Sequence, residues 1–492
     1  MADRGRNGEK SASRAVVLAR MLQLLCDDGV LEPSRKSPIV RFQHPHKLQG
    51  ILSLEPGQEG LHDNELLQLC HDAVSYSVQT CHPYFKNQLY GGTDPYGLAG
   101  AWLAEALNTN IHTYEVAPVF VLVECAVLQR VLKIVGFSDG DGIFSPGGSI
   151  SNMYGMVLAR YKAVPECKTK GLSGQPPLVA FTSEAGHYSV KKCAHWLGLG
   201  TENVIPIKTD SNGRMMSSDL NCRIQQTISE GKKPFFVSAT AGTTVLGAFD
   251  PLEEISDVCR QYGLWLHVDA CWGGTLMLSK KHCHRLKGLD RVNSVAWNPH
   301  KMLGAPLQCS LFLTREKGLM QHCNSASASY LFQQDKFYDV SYDTGDMSVQ
   351  CGRKVDAFKL WLMWKARGDD GFEALINNAM DASKYFKERI QTRPGFRLVQ
   401  EEFECTNICF WFIPPSLRDQ EENEEWWDKI HAVAPKIKES LILAGTLMIS
   451  YQPLPHKGYR NFFRFVTSCH PPATHADMDH VWQEIERHGA NM

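Results

Sequence analysis

The chain has 492 residues, 43% of them hydrophobic and 21% charged, with a formal net charge of -2. That length buries a large core, and the near-neutral balance, with no basic patch, excludes the electrostatic footprint of a nucleic-acid binder. No apolar run approaches the ~20 residues of a membrane span. The opening "MADRGRNGEKSASRAVV" lacks the apolar stretch of a secretory leader, and the sixteen cysteines, spread without a CxxC, read as free thiols of a reducing cytosol.

In chain order, residues 1 to about 45 read as a mobile tail leading into a helix from Ala15 to Cys26. Apolar spacing near 3.6 predicts a helix from Asp63 to Thr80. "QLYGGTDPYG", Gln88 to Gly97, reads as a turn-rich loop in which two glycines and an Asp-Pro break any element. Helices return from Leu98 to Asn108 and from Pro118 to Val135. From Pro177 the pattern changes: "PLVAFTS", "NVIPIKT", "PFFVSATAGTT", "LWLHVDACWGG" and "SVAWNPHK" are short apolar or β-branched runs. Helical stretches separate them, at Ser189–Leu197, Ser217–Ser229 and Leu252–Tyr262. Buried strands alternating with helices predict an α/β fold, a large mostly parallel sheet with helices on both faces.

Three boundaries follow: an N-terminal tail and helical segment over 1–95, a large domain over 96–370, and a smaller C-terminal α/β domain over 371–492. A long helix after Asp356 joins the last two. "ICFWFIPP" and "NFFRFV" are strands of the last region, and "MDHVWQEIERHG" is its closing helix. "KKHCHRL", Lys280 to Leu286, reads as a solvated basic loop, because three adjacent ligand types on a regular element cannot all turn toward one ion. "DQEENEEWWDK" reads as a solvated helix start.

The runs from Pro177 onward end in Gly, Ser, Thr, Asp, His or Lys. Open α/β sheets bind ligands at the carboxyl ends of their strands. Asp269 ends the run "LWLHVD" and Lys301 follows "SVAW" 32 positions later, about one helix and one strand on. Each has an ordinary reading: the aspartate as a helix cap, the lysine as a surface residue. Together at one sheet edge they suit pyridoxal phosphate, which takes a lysine at its aldehyde and an anion opposite its ring nitrogen. "FSPGGSISN", Phe144 to Asn152, opens a helical run and offers an anion cradle, with Gly147 and Gly148 letting the backbone approach and Ser149 adding a hydroxyl. His187 in "TSEAGHYS" is a candidate ring-stacker or a hydrogen-bonded core histidine. Thr240 in "SATAGTT" is a candidate donor to the cofactor's oxygen.

With these motifs in place, the chain resembles the pyridoxal-phosphate-dependent group II decarboxylases that act on acidic amino acids: cysteine sulfinate, aspartate and glutamate decarboxylases. "NPHK", "HVDACWGG", "FSPGGSISNMY", "TYEVAPVF", "YLFQQDKFYDVSYDTGD" and "NFFR" carry the resemblance, over about residues 40 to 490. It implies the fold-type I architecture of pyridoxal-phosphate-dependent transferases and a cytoplasmic homodimer with the active site at the subunit interface. It assigns the Schiff-base amine to Lys301, the ring-nitrogen partner to Asp269 and the stacked ring to His187, with Gly148, Ser149 and His300 near the phosphate. A desolvated Lys301 would have a lowered pKa. Tyr330, in the mobile-looking "SASASYLFQQDK", matches the catalytic-loop tyrosine that returns a proton to Cα. Arg464, in "NFFRFV", is assigned to the substrate's distal acid, since pairing with the departing α-carboxylate would raise the barrier.

Substrate length is read from the segment after Gln88. Glutamate decarboxylases of this family carry a small hydroxyl residue after "NQL"; here it is Tyr90, an aromatic residue as in the cysteine sulfinate and aspartate enzymes. The expected reaction is decarboxylation of cysteine sulfinate to hypotaurine or of aspartate to β-alanine. One methylene's room is worth only ~1–3 kcal/mol, so glutamate decarboxylation stays open as a second reading. Transamination or decarboxylation-dependent oxidation would use the same cofactor and residues, and a catalytically inactive dimeric binding protein would keep the same fold. Three positions depart from the family pattern. Lys86, in "YFKNQL", stands where an apolar residue is expected; it is assigned to solvent, the other reading being a positive charge turned toward the site for an acid. Cys271 replaces a small residue. Pro306, five positions after Lys301, stands where a proline can alter the lysine's strand or loop.

Overall fold

The computed structural model describes residues 14–492; the first part of the expected tail lies outside the described residues. Twelve strands occur among them: β1 (Phe85–Lys86), β2 (Asp141–Phe144), β3 (Leu178–Ser183), β4 (Val204–Ile207), β5 (Lys233–Thr240), β6 (Trp265–Asp269), β7 (Ser294–Trp297), β8 (Leu311–Thr314), β9 (Phe396–Leu398), β10 (Asn407–Phe412), β11 (Met448–Leu454) and β12 (Tyr459–Val466). Seven form a sheet in the order β2-β8-β7-β6-β5-β3-β4. β4, β3, β5, β6 and β7 run parallel, and β8 is antiparallel to both β7 and β2.

The parallel strands are β-branched and aromatic because both faces are covered. Every residue of β3 and of β6 is buried. On one face lies the helix Pro118–Val135, whose Phe120, Val121, Val127, Leu128, Val131, Leu132 and Val135 fall at helical spacing on its buried side. On the other lies the helix Gly148–Ala163, which packs Tyr154, Met156, Leu158 and Ala159 into a second apolar layer with Ala180, Phe236 and Phe312. Fully burying such a side chain contributes roughly 1.5–3 kcal/mol, so the sheet's position is overdetermined by packing.

The second sheet has the order β1-β11-β12-β10-β9. Its central strands β10 and β12 are antiparallel, with Cys409 opposite Arg464 and Phe410 opposite Phe463. β1 comes from the N-terminal segment and pairs in parallel with β11, and the Ile39 amide donates to the Gly445 carbonyl at 2.8 Å. The long helix Asp356–Gln391 turns at Gly368, whose φ of 64° is left-handed.

Some boundaries differ from expectation. The helix expected from Leu98 begins at Pro95: Asp94 caps it, accepting from the Tyr96 and Gly97 amides at 2.8 and 3.2 Å. The Asp-Pro pair therefore starts an element, since proline at the first helical position lacks only an amide that would have no partner there. The helix expected from Asp63 to Thr80 ends at Tyr76. All sixteen cysteines are free. Among the described residues no helix is long and apolar enough to cross a membrane.

Candidate active site

Strand order places the chemistry. β7, β6, β5 and β3 lie side by side. Thr240, the last residue of β5, is in register with Asp269, the last of β6. Lys301 follows β7 after one tight turn, closed by its own amide on the Asn298 carbonyl at 3.0 Å. His187 follows the end of β3. Gly148, Ser149, His187 and Thr240 line one cavity of about 210 Å³. Asp269, His300 and Lys301 complete it.

Gly147 has φ of 100°, which side chains rarely adopt, and it turns the chain from β2 into the helix Gly148–Ala163. A Cβ on Gly148 would lie 2.5 Å from Cys271 Sγ and 2.7 Å from Asn298 Nδ2, so the helix start fits there only without a side chain. Asn298 Oδ1 accepts from Ser310 Oγ at 2.6 Å, which leaves its amide nitrogen to the cavity side. Helix-start amides and this amide together make a donor-rich end for an anion.

Asp269 is buried and accepts from Asn152 Nδ2 at 2.8 Å and from the Cys271 amide at 3.1 Å. Burial alone would raise its pKa. The charges of Lys301 and His187 and these hydrogen bonds outweigh burial and hold the carboxyl below its ordinary value. Burial pushes His187 down against the pull of Asp269. It also pushes His300, whose Nδ1 lies 2.6 Å from the Cys309 carbonyl, down to about 4. Lys301 is half-buried, and its side chain lines the cavity.

Not every candidate comes to this cavity. Arg464 is buried nearby: Nη1 donates to the carbonyl of Thr244, a cavity residue, at 2.9 Å, Nε to Ser450 Oγ at 3.1 Å and Nη2 to the Asn87 carbonyl at 3.3 Å. No carboxylate pairs with it among the described residues. Gln88 and Tyr90 are exposed, the Tyr90 ring lying 6.1 Å from that of Phe85. Tyr330 is 78% exposed and does not line its own chain's cavity.

One departure is resolved differently from expectation. Lys86 does not face solvent. It is buried, its amine 5.9 Å from the Phe465 ring, and burial lowers its pKa to about 8. The two-residue strand β1, docked on β11, turns that side chain into the sheet's apolar layer. Pro306 lies beyond the Lys301 turn, which closes through the Ala305 amide on the Pro299 carbonyl at 3.1 Å; its ring packs beside Gly97 instead. Cys271 lines the cavity, its thiol pushed well up by burial. Sequence reading missed Asn152, Asn298 and Thr244 as site residues. The first two stand inside the quoted motifs "FSPGGSISN" and "NPHK"; Thr244 carries no local signal.

An amine, a buried carboxylate held ionised, a histidine ring and an anion cradle along one sheet edge fit a phosphorylated pyridine aldehyde. Comparison with known proteins agrees. A profile described as the pyridoxal-dependent decarboxylase conserved domain matches residues 45–413, and the chain belongs to that family. It is an amino-acid decarboxylase, and its cofactor is pyridoxal phosphate. The chain is 52% identical over 472 residues to the acidic amino acid decarboxylase GADL1 of Bos taurus, covering 96% of this chain and 90% of that protein. It is similar to the crystal structure of mouse CSAD, with a TM-score of 0.95 and 47% identity over 99% of this chain and 100% of that one. The crystal structure of Oryza sativa TDC with PLP and tryptamine shares the fold at a TM-score of 0.86 and 21% identity, over 96% of this chain and 97% of that one.

Proposed function

We propose that the enzyme decarboxylates a small acidic amino acid, cysteine sulfinate or aspartate, as a cytoplasmic homodimer. The observation that carries the acidic substrate is Arg464: a buried guanidinium hydrogen-bonded only to neutral acceptors, one of them the carbonyl of a cavity residue. A buried cation without an anion is costly, and a ligand's distal acid would relieve that cost by a forked, charge-assisted pair.

When bound, pyridoxal phosphate supplies the electron sink for the bond pair left behind by CO₂. The chain's own groups do the rest. Lys301 would be the amine that holds the aldehyde. Asp269, kept ionised, holds a proton at the ring nitrogen. His187 would stack on the ring, Thr240 would donate to its oxygen, and Gly148, Ser149 and His300 would hold the phosphate. Arg464 binds the distal acid and leaves the α-carboxylate without an ion pair, so that its charge is not stabilised before it departs. Gln88 and Tyr90 bound the substrate's length. Tyr330 delivers the proton to Cα.

The exposure of Tyr330 supports a site completed between two copies, the loop of one closing over the cavity of the other. The apolar surface formed by Trp102, Leu103, Leu107, Val116 and Val119 supports a homodimer contact. The free state of all sixteen thiols supports a reducing compartment. Incubating the holoenzyme with equimolar cysteine sulfinate, aspartate and glutamate and identifying the amines tests the substrate: hypotaurine or β-alanine is expected to dominate. A dominant glutamate product would overturn the length argument from Tyr90.

A further inference from the structure

A single hydrogen-bond chain lies beneath the cavity, and donor counting fixes the direction of every link. It starts at Asp269. An ionised carboxylate only accepts, so the Asn152 group 2.8 Å from Oδ2 is the amide nitrogen. Asn152 Oδ1 therefore faces His267 Nε2 at 2.9 Å, and that nitrogen carries a hydrogen. At the other side of the ring, Ser294 Oγ lies 2.8 Å from Nδ1 and accepts from Trp265 Nε1 at 2.9 Å. Indole only donates, so the serine's own hydrogen goes to a bare Nδ1. The second hydrogen of the Asn152 amide goes to Ser189 Oγ at 2.9 Å, and that hydroxyl donates to His187 Nδ1 at 2.9 Å. Every group in the chain is satisfied in one arrangement only. Protonating His267 would put two donors on Ser294 and leave the serine's own hydrogen without an acceptor.

Resting on the reading of Asp269 as the ring-nitrogen partner, we propose that Asn152 and His267 are positioning residues. His267, neutral and protonated at Nε2, fixes the Asn152 amide, and Asn152 in turn holds the Asp269 carboxylate in place toward the ring nitrogen. The same amide, through Ser189, keeps His187 Nδ1 an acceptor, so that the stacked ring carries its hydrogen on Nε2. His267 is fully buried between β5 and β7, its ring stacked on Phe236 at 5.8 Å and on Phe312 at 6.3 Å. Burial pushes its pKa down to about 4, in keeping with a ring that stays neutral.

The test compares two ligands on apoprotein stripped of cofactor: pyridoxal phosphate, and its carbocyclic analogue with a C–H in place of the ring nitrogen. Hydrogen bonds to a charged group are worth enough that Asn152→Ala and His267→Phe are expected to weaken pyridoxal phosphate binding ~10- to 100-fold. Affinity for the analogue is expected to change by less than about threefold, because the coupling runs through Asp269 to a nitrogen that is missing. His267→Gln, which keeps a donor toward Asn152 Oδ1, is expected to restore most of the loss. Equal losses for both ligands overturn the proposal and leave a packing role. Wild-type apoprotein that binds both ligands equally refutes the reading of Asp269 itself. Should a variant not fold, ¹⁵N spectra of wild-type apoprotein labelled at its histidine rings decide: a neutral Nε2–H form at His267 near neutral pH supports the proposal, and an Nδ1–H form or an imidazolium overturns it.

Discussion

Replacing Arg464 by methionine separates an anchor for substrate from a strut for the fold. The guanidinium makes three hydrogen bonds, to Ser450 Oγ, the Thr244 carbonyl and the Asn87 carbonyl, and all three acceptors are neutral. Burial lowers its pKa, so the charge is held at a cost in the free enzyme. Truncating one member of a buried charge pair costs about 2–5 kcal/mol, and here the pair exists only when an acidic substrate is bound. The expected loss in kcat/KM is therefore roughly 30- to 5,000-fold. The apoprotein, relieved of an unpaired buried charge by a side chain of similar volume, is expected to melt within a few degrees of wild type. Arg464→Lys keeps the charge and loses the fork, and should fall between the two. Steady-state decarboxylation and a thermal melt of the same preparation read both quantities. A variant that retains kcat/KM within about threefold would refute the anchor. A variant that loses activity and melting temperature together would show that the arginine holds the two sheets instead.

Gly148→Ala places a Cβ 2.5 Å from Cys271 Sγ and 2.7 Å from Asn298 Nδ2; an overpacking cost of about 1–3 kcal/mol should appear as weaker cofactor binding in an absorbance titration, and unchanged affinity would place the phosphate elsewhere. Tyr330→Phe should shift products from amine toward carbonyl compounds, read by chromatography, and an unchanged ratio would remove the tyrosine as proton donor. His267 has a pKa of about 4 in the fold against 6.5 unfolded. The unfolded chain therefore binds this proton first as pH falls, and stability on the order of 3 kcal/mol, present above pH 6.5, is lost between 6.5 and 4. Denaturant melts of His267→Gln and wild type across that range should show a shallower loss in the variant; parallel curves would contradict the burial argument.

The parallel core of the large sheet was legible because its signals are local. Most strands from Leu178 to Trp297 are short apolar runs, and β3, β5 and β6 end in Ser183, Thr240 and Asp269. What local signals could not supply was pairing. β2 and β8 are four-residue strands whose only strand partners are each other and β7, and β1 exists because β11 lies beside it. Lys86 was misplaced for that reason. A lysine is assigned to solvent by its chemistry, and only a partner strand from the far end of the chain makes its position interior.

The candidate site divides along the same line. Asp269, Thr240, His187 and Lys301 share an edge because parallel strands align their carboxyl ends, so strand order alone brings them to one cavity. Asn152 was hidden because its part depends on a helix crossing the sheet: one face of the turn after Gly147 offers backbone to the cradle, and four residues on, the same helix presents an amide to the carboxylate below. On the proposed placement, a motif read as a phosphate loop would serve both ends of the cofactor. The two positions are coupled through one helix: a Cβ on Gly148 would lie 2.5 Å from Cys271 Sγ, and a helix raised to relieve that contact would carry the Asn152 amide away from Asp269. A Gly148→Ala enzyme should therefore weaken binding of the carbocyclic analogue less than that of pyridoxal phosphate, because raising the helix withdraws the Asn152 amide as well as the cradle.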